Sequence, residues 1–396
     1  MSTGYLSSGF RQMAKHVYIV AAERSGDSLG AALIDSLREQ SPNIKISGIG
    51  AAQMSARGIE TPIDVAPLAI LGIFEGLLKY RTVLHLVRRA TDAIITSGAD
   101  MVILIDSWGF MMRVAERLKA KGYTGQIVKY VAPQVWAMRE GRTKVLARSV
   151  DHLFTIHSFE APYFTREGLP VTYVGNPVFD EDYRIGNGDS LRDKLGIGEH
   201  DPVMCVLLGS RPAEIQRLSK PFGETLAALR KAMPGLKIIS PLAQSTAKLT
   251  RNVTQDMPGY KTVSWLTEDD KLNAFAASDV ALACSGTVTT QLASAGLPTV
   301  VGYKLSGMSY FVASRLFKAD YVSIVNLAAK EELMPELLQN ECEADQLAPA
   351  VLAFLKDDEL RAARRDQLLA QTDKMKAGQG AASDKAARAV LELLTP

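Results

Sequence analysis

Residues 281–304 read ALACSGTVTTQLASAGLPTVVGYK. A short apolar run ends at Ser285-Gly286-Thr287, a helix-compatible segment follows as far as Gly296, and a β-branched run begins after Pro298. This order predicts a strand, a tight turn, a helix and a second strand. Free backbone N–H groups, hydroxyls and small residues at the helix start favour a phosphate-binding turn. The alternative is that the hydroxyls only cap the helix.

The same alternation of apolar runs and helical segments occurs in both halves of the chain. Residues 101–105 (MVILI) are continuously apolar, as expected of a strand buried on both faces. The other predicted strands are residues 17–20, 44–48, 127–131, 152–156, 171–174, 203–208, 237–240, 262–265, 280–284 and 299–303. Alternating strands and helices predict an α/β protein with parallel sheets.

The repetition predicts two Rossmann-like domains, at residues 15–178 and 196–356, facing a ligand cleft at the carboxyl ends of their strands. Residues 357–396 have helical character, with a small-residue break at 377–382. We expect these C-terminal helices to pack either on the N-terminal domain or on a partner subunit.

Composition limits the classes of function. The 396 residues carry 45 basic and 43 acidic side chains, and the net charge of +2 argues against a nucleic-acid-binding surface over the whole molecule. A hydrophobic content of 47% indicates a globular protein with large cores. The cysteines, Cys205, Cys284 and Cys342, are far apart and have no metal-ligand spacing, so we predict no metal site and a cytoplasmic location.

One segment indicates contact with lipid although no apolar run is long enough to span a bilayer. Residues 67–80 contain four leucines, two isoleucines and one phenylalanine, and Arg81, Arg88 and Arg89 follow closely. Apolar residues beside a basic cluster are typical of a segment that lies in an anionic membrane interface. The alternative is an ordinary buried helix with a solvated basic face.

Two turns of the first half carry candidate catalytic carboxylates. The first reads Glu23-Arg24-Ser25-Gly26-Asp27, and it is neither a G-x-G-x-x-G fingerprint nor a Walker A sequence. The second is Asp106, directly after the buried strand, where a carboxylate faces the ligand edge of the sheet and can act as a general base. In each turn the alternative role of the carboxylate is to cap the following helix.

Candidate anion-binding residues lie in both halves. Arg139 and Arg142 begin a helix, where a basic residue opposes the helix dipole and is better suited to holding an anion; the alternative is a solvated face. Gly209-Ser210-Arg211 follows a strand in the second half. Such a turn offers backbone N–H groups, a hydroxyl and a guanidinium fork to a diphosphate.

Taken in order, these turns resemble those of the lipid-A-disaccharide synthase family, from about residue 17 to residue 355. The matching residues are Glu23-x-Ser25-Gly26-Asp27, Asp106, Pro133-x-Val135-Trp136-Ala137, Gly175-Asn176-Pro177, Gly209-Ser210-Arg211-x-x-Glu214-Ile215, Ser285-Gly286-Thr287-x-Thr289, Gly302-Tyr303-Lys304, and Asn326 with Pro335-Glu336-Leu337-Leu338-Gln339. Each motif alone is weak, but their common order is specific.

The resemblance implies a GT-B glycosyltransferase that moves 2,3-diacylglucosamine from UDP to the 6-hydroxyl of 2,3-diacylglucosamine 1-phosphate. The α-linked donor becomes a β-1,6 linkage, so the transfer inverts. It also implies neither metal nor cofactor, peripheral contact with the inner face of the bacterial inner membrane, and compatibility with a homodimer.

Roles can then be assigned to the candidate residues. Asp106 is the expected base, with Glu23 as a second candidate, and Arg211 is expected to stabilise the leaving diphosphate. The residues expected to bind UDP are Gly209, Ser210, Arg211, Ser285, Gly286, Thr287 and Gln291. The residues expected to bind the acceptor are Ser25, Gly26, Asp27, Arg139 and Arg142.

The chain departs from the family pattern at several positions. Ala22, Arg24, Trp108, Gly109 and Leu208 replace other residues, and Gln291 stands where a glutamate is expected. Two alternatives therefore remain at this stage. One is another UDP-sugar-dependent GT-B enzyme, and the other is a non-catalytic relative that binds a nucleotide sugar or lipid.

Overall fold

The computed structural model describes residues 14–65, 80–137, 141–305 and 319–395. The described residues form two compact units. The first contains residues up to Val135, residues 141–175 and the C-terminal residues from Gly380. The second contains residues 136–137 and the described residues from Asn176 to Gln379.

The first unit is built on a six-stranded, wholly parallel sheet with the order β2-β1-β3-β4-β5-β6. Its strands are β1 (His16–Ala21), β2 (Lys45–Ile49), β3 (Met101–Ile105), β4 (Gln126–Tyr130), β5 (His152–Thr155) and β6 (Val171–Tyr173). Its helices are α1 (Arg24–Gln40), α2 (Ala52–Ser55), α3 (Tyr80–Ser97), α4 (Trp108–Ala120), α5 (Arg142–Ser149) and α6 (Ala161–Thr165).

The second unit repeats this design with the strand order β12-β11-β10-β7-β8-β9, again all parallel. Its strands are β7 (Val203–Leu207), β8 (Lys237–Pro241), β9 (Val263–Leu266), β10 (Val280–Cys284), β11 (Thr299–Tyr303) and β12 (Glu336–Leu338). Its helices are α7 (Gly188–Leu195), α8 (Pro212–Ala232), α9 (Ala247–Thr254), α10 (Lys271–Ala277), α11 (Thr287–Ser294), α12 (Ile324–Ala329), α13 (Ala344–Lys356) and α14 (Asp358–Lys374).

The C-terminal segment contributes to both units. Leu368 of α14 is fully buried in an apolar cluster with Ala293 and Val325, which belong to α11 and α12 of the second unit. The last helix, α15 (Ala382–Leu394), packs on α1 of the first unit. There the Ser36 hydroxyl donates to a carboxylate oxygen of Asp384 at 2.7 Å, which fixes the start of α15.

Burial explains why apolar runs predict these strands. All five side chains of β3 are fully buried, because helices cover both faces of a parallel sheet. The predicted bounds of β3, β10 and β11 are confirmed to the residue. The three cysteines are buried, free thiols.

The short strand β12 was missed. It has only three residues, all half-buried, and it lies at the edge of the second sheet. Its Glu336 carboxylate accepts hydrogen bonds from the backbone N–H groups of Val322 and Ser323, at 2.6 and 2.8 Å. The Asn326 side chain also donates to Glu336, at 2.9 Å. These contacts give Asn326 and Glu336 a structural role in holding β12 beside α12.

Within these described ranges, none of the helices combines the length and apolarity needed to cross a membrane. The same ranges contain no cluster of three or more His, Cys, Asp or Glu side chains arranged to hold a metal ion. The predicted lipid-contact segment, residues 67–80, lies outside the described residues except for Tyr80, where α3 begins.

Candidate active site

The strand order of each sheet determines where a ligand can bind to each unit. In the first sheet the chain leaves β1 towards β2 on one side and continues from β3 on the other. In the second sheet the same reversal separates β7 from β10. Ligands of open α/β sheets bind outside the carboxyl ends of the strands at such a reversal. The candidate residues after β1, β3, β7 and β10 lie at these two points.

A cavity of about 270 Å³ lies at the β7/β10 reversal of the second unit. Its lining includes all seven residues predicted for UDP, namely Gly209, Ser210, Arg211, Ser285, Gly286, Thr287 and Gln291. Sequence reasoning did not identify Ser240, Thr246, Glu268 and Lys271, which also line it. Ser240 is in β8 and Glu268 follows β9, so position at a strand's carboxyl end was the signal that could have found them.

The glycine of the first turn in this cavity has no substitute. Gly209 has a φ of +101°, and a Cβ there would lie 2.6 Å from a carboxylate oxygen of Glu214. The turn is therefore restricted to glycine by both backbone conformation and space. The Arg211 N–H donates to Glu214 Oε2 at 3.3 Å, and a guanidinium nitrogen contacts Oε1 at 2.8 Å.

Arg211 is the exposed cation of this turn. Its side chain is 75% exposed whereas Glu214 is 7% exposed, so the pair joins a buried carboxylate to a guanidinium at the cavity surface. The hydrogen bond to Glu214 raises the pKa of Arg211, which therefore stays charged. Arg211 can use its remaining N–H donors to bind a diphosphate.

The second turn leads into α11. No side chain of the described residues forms a capping hydrogen bond at its start, where Gly286 is the N-cap with a φ of +154°. The Thr289 hydroxyl instead donates back to the Gly286 carbonyl at 2.7 Å. The Thr289 hydroxyl is thus bonded to the carbonyl of the N-cap residue, while Ser285 and Thr287 line the cavity. An open helix start favours an anion.

Cys284, the last residue of β10, precedes this turn as a neutral thiol. Burial, and then the negative charge of Glu214, raise the pKa of the Cys284 thiol, so the thiol stays protonated.

Gln291 lies one turn further along α11, and its amide donates to the Tyr183 hydroxyl at 3.3 Å. Lys271 lies 5.9 Å from the centre of the Tyr183 ring. Gln291 is thus held at the cavity wall by a buried tyrosine.

The first unit places Asp106 at the β1/β3 reversal. Ser25, in the first turn of α1, donates from its hydroxyl to Asp106 Oδ2 at 3.1 Å. The backbone N–H of Asp106 donates to the Tyr130 carbonyl at 3.0 Å, and both Asp106 and Ser107 have positive φ, +53° and +38°. Asp106 is half-buried, so its carboxylate is accessible to a substrate.

The other carboxylates of the first turn differ in their surroundings. Asp27 is buried, and its oxygens accept hydrogen bonds from the backbone N–H groups of Ala51 and Gln53, at 2.7 and 2.8 Å. Its carboxylate thus stabilises the start of α2, which differs from the expected contact with the acceptor. Gly26 is also buried, against β3. Glu23 is exposed and is the N-cap residue of α1, without a capping hydrogen bond from its side chain.

The predicted basic pair is described only in part. Arg139 lies outside the described residues. Arg142 is the first residue of α5, and its guanidinium lies 4.9 Å from the centre of the Trp108 ring. Trp108 begins α4, two residues after Asp106. The cation–π contact therefore links Arg142 to the Asp106 turn.

Lys129 is a buried charge near this turn that sequence reasoning missed. It is 1% exposed, within β4, and its Nζ donates to the carbonyls of Tyr130 and Val131, each at 2.9 Å. Burial lowers the pKa of Lys129 to about 7, and the negative charges of Asp106 and Glu23 oppose this shift. The available signal was a charged residue between Val128 and Tyr130 in a predicted strand.

We expect the buried amine to make stability depend on pH. Because its folded pKa is about 7 and its ordinary value is 10.5, the folded state binds fewer protons than the unfolded chain between these values. The free energy of unfolding therefore rises with pH across this window. The stability gained in this way is lost again as the pH falls towards 7. From pH 7 to pH 9 the wild type should gain about 2 kcal/mol relative to Lys129→Met.

Urea unfolding of both proteins at pH 7 and pH 9, followed by circular dichroism, measures this difference. Lys144→Met, at an exposed position of α5, controls for the loss of a lysine as such. A difference between wild type and Lys129→Met that does not change with pH would contradict the expected titration.

Comparison with known proteins identifies the family. Residues 17–391 match the family described as lipid-A-disaccharide synthetase. The lipid-A-disaccharide synthase of Paramagnetospirillum magneticum is 37% identical over 96% of this chain and 97% of its own length. The chain belongs to the lipid-A-disaccharide synthase family. A second member, from Rhodospirillum centenum, is 36% identical over 96% of this chain and 94% of its own length.

The fold agrees with this family. A structure of Staphylococcus aureus MnaA with UDP superposes with a TM-score of 0.61 at 16% identity, covering 96% of this chain and 97% of that one. With the two parallel six-stranded sheets, this likeness confirms the predicted GT-B architecture. As a member of the lipid-A-disaccharide synthase family, the protein is a glycosyltransferase of lipid A biosynthesis.

Proposed function

We propose that the protein transfers 2,3-diacylglucosamine from UDP to the 6-hydroxyl of 2,3-diacylglucosamine 1-phosphate. The products are the β-1,6-linked disaccharide 1-phosphate and UDP. The observation that carries the proposal is the family match over residues 17–391. The cavity at the β7/β10 reversal supports it, because its open helix start, its glycine turn and Arg211 together suit a nucleoside diphosphate.

The chemistry follows from the groups available. Asp106 accepts the proton of the acceptor 6-hydroxyl, and the hydroxyl oxygen attacks C1 of the donor sugar from the side opposite the diphosphate. The bond between C1 and the diphosphate oxygen breaks, and its electron pair leaves with UDP. Attack from the opposite side converts the α linkage of the donor into a β linkage. Ser25 orients the Asp106 carboxylate through its hydrogen bond.

The leaving UDP gains negative charge as the bond breaks. We propose that Arg211 and the backbone N–H groups at the start of α11 stabilise that charge and that the Ser285 hydroxyl donates to the same phosphates, since these groups line one cavity. The Gln291 amide, which donates to the Tyr183 hydroxyl, is proposed to bind the ribose hydroxyls. The proposed mechanism therefore requires one base to accept the proton and a fixed set of hydrogen-bond donors to stabilise the leaving diphosphate.

Incubation of the purified protein with UDP-2,3-diacylglucosamine and 2,3-diacylglucosamine 1-phosphate tests the proposal. We expect UDP release and formation of the disaccharide phosphate in equal amounts, measured by chromatography and mass spectrometry. A parallel reaction contains a water-soluble glucosamine acceptor. Transfer to the soluble acceptor alone would favour another UDP-sugar-dependent enzyme. Binding of UDP without release from the donor would favour a non-catalytic relative.

We further propose that the protein works at the inner face of the bacterial inner membrane, as a peripheral protein. Both proposed substrates carry acyl chains, and so they reside in a bilayer. Residues 67–80 supply apolar side chains in the sequence, and Arg81 and Arg88 are exposed on α3 directly after them. Exposed arginines of this kind attract anionic lipid headgroups.

The double variant Ile73→Ser/Phe74→Ser is expected to bind anionic liposomes more weakly than the wild type, and to lose activity on acylated substrates while UDP affinity is kept. Wild-type binding itself should weaken at high salt because the arginine contribution is screened. Liposome sedimentation at low and high salt measures both effects. Ile185→Ser removes an apolar side chain that is 70% exposed elsewhere and serves as the matched control.

A melting curve accompanies each variant. If the double variant sediments with liposomes as the wild type does, the membrane contact lies elsewhere in the chain. If it unfolds at a much lower temperature, the segment belongs to the core instead.

A further inference from the structure

Lys129 has no part in the proposed reaction, yet it occupies an unfavourable place. In the parallel register of the first sheet it is aligned with Leu104 of β3 and Leu153 of β5, both fully buried. A lysine that is fully buried beside two leucines loses the hydration of its ammonium group, which is unfavourable unless hydrogen bonds and opposite charges replace the water. A methionine would fill a similar volume without the unfavourable desolvation of a charged group.

The lysine is bonded to a strained piece of backbone. Its Nζ donates to the carbonyls of Tyr130 and Val131. Val131 has a φ of +73°, which is an outlier for a β-branched residue. Such a conformation persists only where the surrounding structure holds it in place. The two hydrogen bonds from Lys129 are contacts of this kind.

The backbone that accepts hydrogen bonds from Lys129 is also hydrogen-bonded to Asp106. The Tyr130 carbonyl accepts one hydrogen bond from Lys129 Nζ at 2.9 Å and another from the Asp106 N–H at 3.0 Å. Asp106 itself has a φ of +53°. Asp106 and Val131, the left-handed residues that directly follow β3 and β4, are therefore connected through the Tyr130 carbonyl and Lys129. The charges also attract, because Asp106 and then Glu23 are the carboxylates that favour the charged form of Lys129.

We propose that Lys129 is a positioning residue for Asp106. Its Nζ donates to the carbonyls of Tyr130 and Val131, and the Tyr130 carbonyl also accepts the N–H of Asp106, so the lysine fixes the left-handed turn that orients the Asp106 carboxylate. The inference rests on the proposed role of Asp106 as the base. It predicts that removing the lysine acts on catalysis through Asp106 and not through the donor site of the second unit.

A double-mutant cycle tests this coupling. Lys129→Met is expected to lower kcat roughly tenfold, while the KM for the donor and the calorimetric affinity for UDP stay within about twofold of wild type. In the Asp106→Asn background the same substitution is expected to have almost no further effect, because the base through which it acts is already absent. Circular dichroism and melting curves verify that each variant is folded.

The outcomes separate the inference from the function on which it rests. A similar loss from Lys129→Met in both backgrounds, or a change in kcat below twofold, would overturn the positioning role alone. Full activity of Asp106→Asn would overturn the role of the base, and the inference with it. If Lys129→Met does not fold, Lys129→Leu, which also removes the N–H donors, is put through the same cycle and judged by the same criteria.

Discussion

Asp106→Asn is expected to lower turnover by roughly 100-fold or more while UDP affinity stays close to that of the wild type. Asparagine has the shape of aspartate but cannot accept the proton of the acceptor hydroxyl. It also tolerates the left-handed conformation that Asp106 adopts, at a φ of +53°, so the turn should survive the substitution. The measurements are the rate of UDP release and the dissociation constant of UDP by calorimetry.

Asp92→Asn is the matched control, because Asp92 is 55% exposed and pairs with Lys121 on the surface of the first unit. This control should keep full turnover. Equal turnover of Asp106→Asn and wild type would remove Asp106 from the mechanism. Glu23 would then be the next candidate, because it is exposed on the same edge of the sheet, whereas the Asp27 carboxylate is committed to the start of α2.

Arg211→Ala is expected to weaken UDP binding by about 10- to 150-fold, the equivalent of roughly 1.5–3 kcal/mol for a hydrogen bond between charged groups. The rate should fall as well, because Arg211 is proposed to stabilise the charge on the leaving diphosphate. Glu214 loses its guanidinium partner in this variant, but its carboxylate still accepts the N–H of residue 211. The turn should therefore persist.

Calorimetric titration with UDP, beside a melting curve, separates the two effects. Lys220→Ala, at a position of α8 that is 79% exposed, controls for the loss of a cation and should leave UDP affinity unchanged. Unchanged affinity in folded Arg211→Ala protein would show that Gly209-Ser210-Arg211 serves only as a structural turn.

Local sequence patterns predicted the strands well for a physical reason. A parallel strand covered by helices on both faces must be apolar at every position, so β3, β10 and β11 can be located directly from their residues. The edge strand β12 has no such requirement. Its glutamate bonds to the backbone of a neighbouring segment, and its three residues leave no apolar run to detect.

The residues of the two candidate sites were predicted less completely than the strands. Turn residues directly after strands were found, because glycine, hydroxyl and charged residues there stand out against apolar neighbours. Lys129 was missed because its role depends on contacts with carbonyls at the end of its own strand. Lys271 was missed because it begins a helix, α10, and reaches the cavity only through the packing of that helix.

The sequence by itself determined the α/β alternation, the chemistry of the turns and, through their order, membership of the lipid-A-disaccharide synthase family. Only the tertiary structure decided which turns are neighbours. Ser25 and Asp106 meet because β1 pairs with β3, and the two turns that line the cavity of the second unit meet because β7 pairs with β10. Pairing between distant strands depends on how the whole sheet buries its faces, and no local pattern of residues records that order.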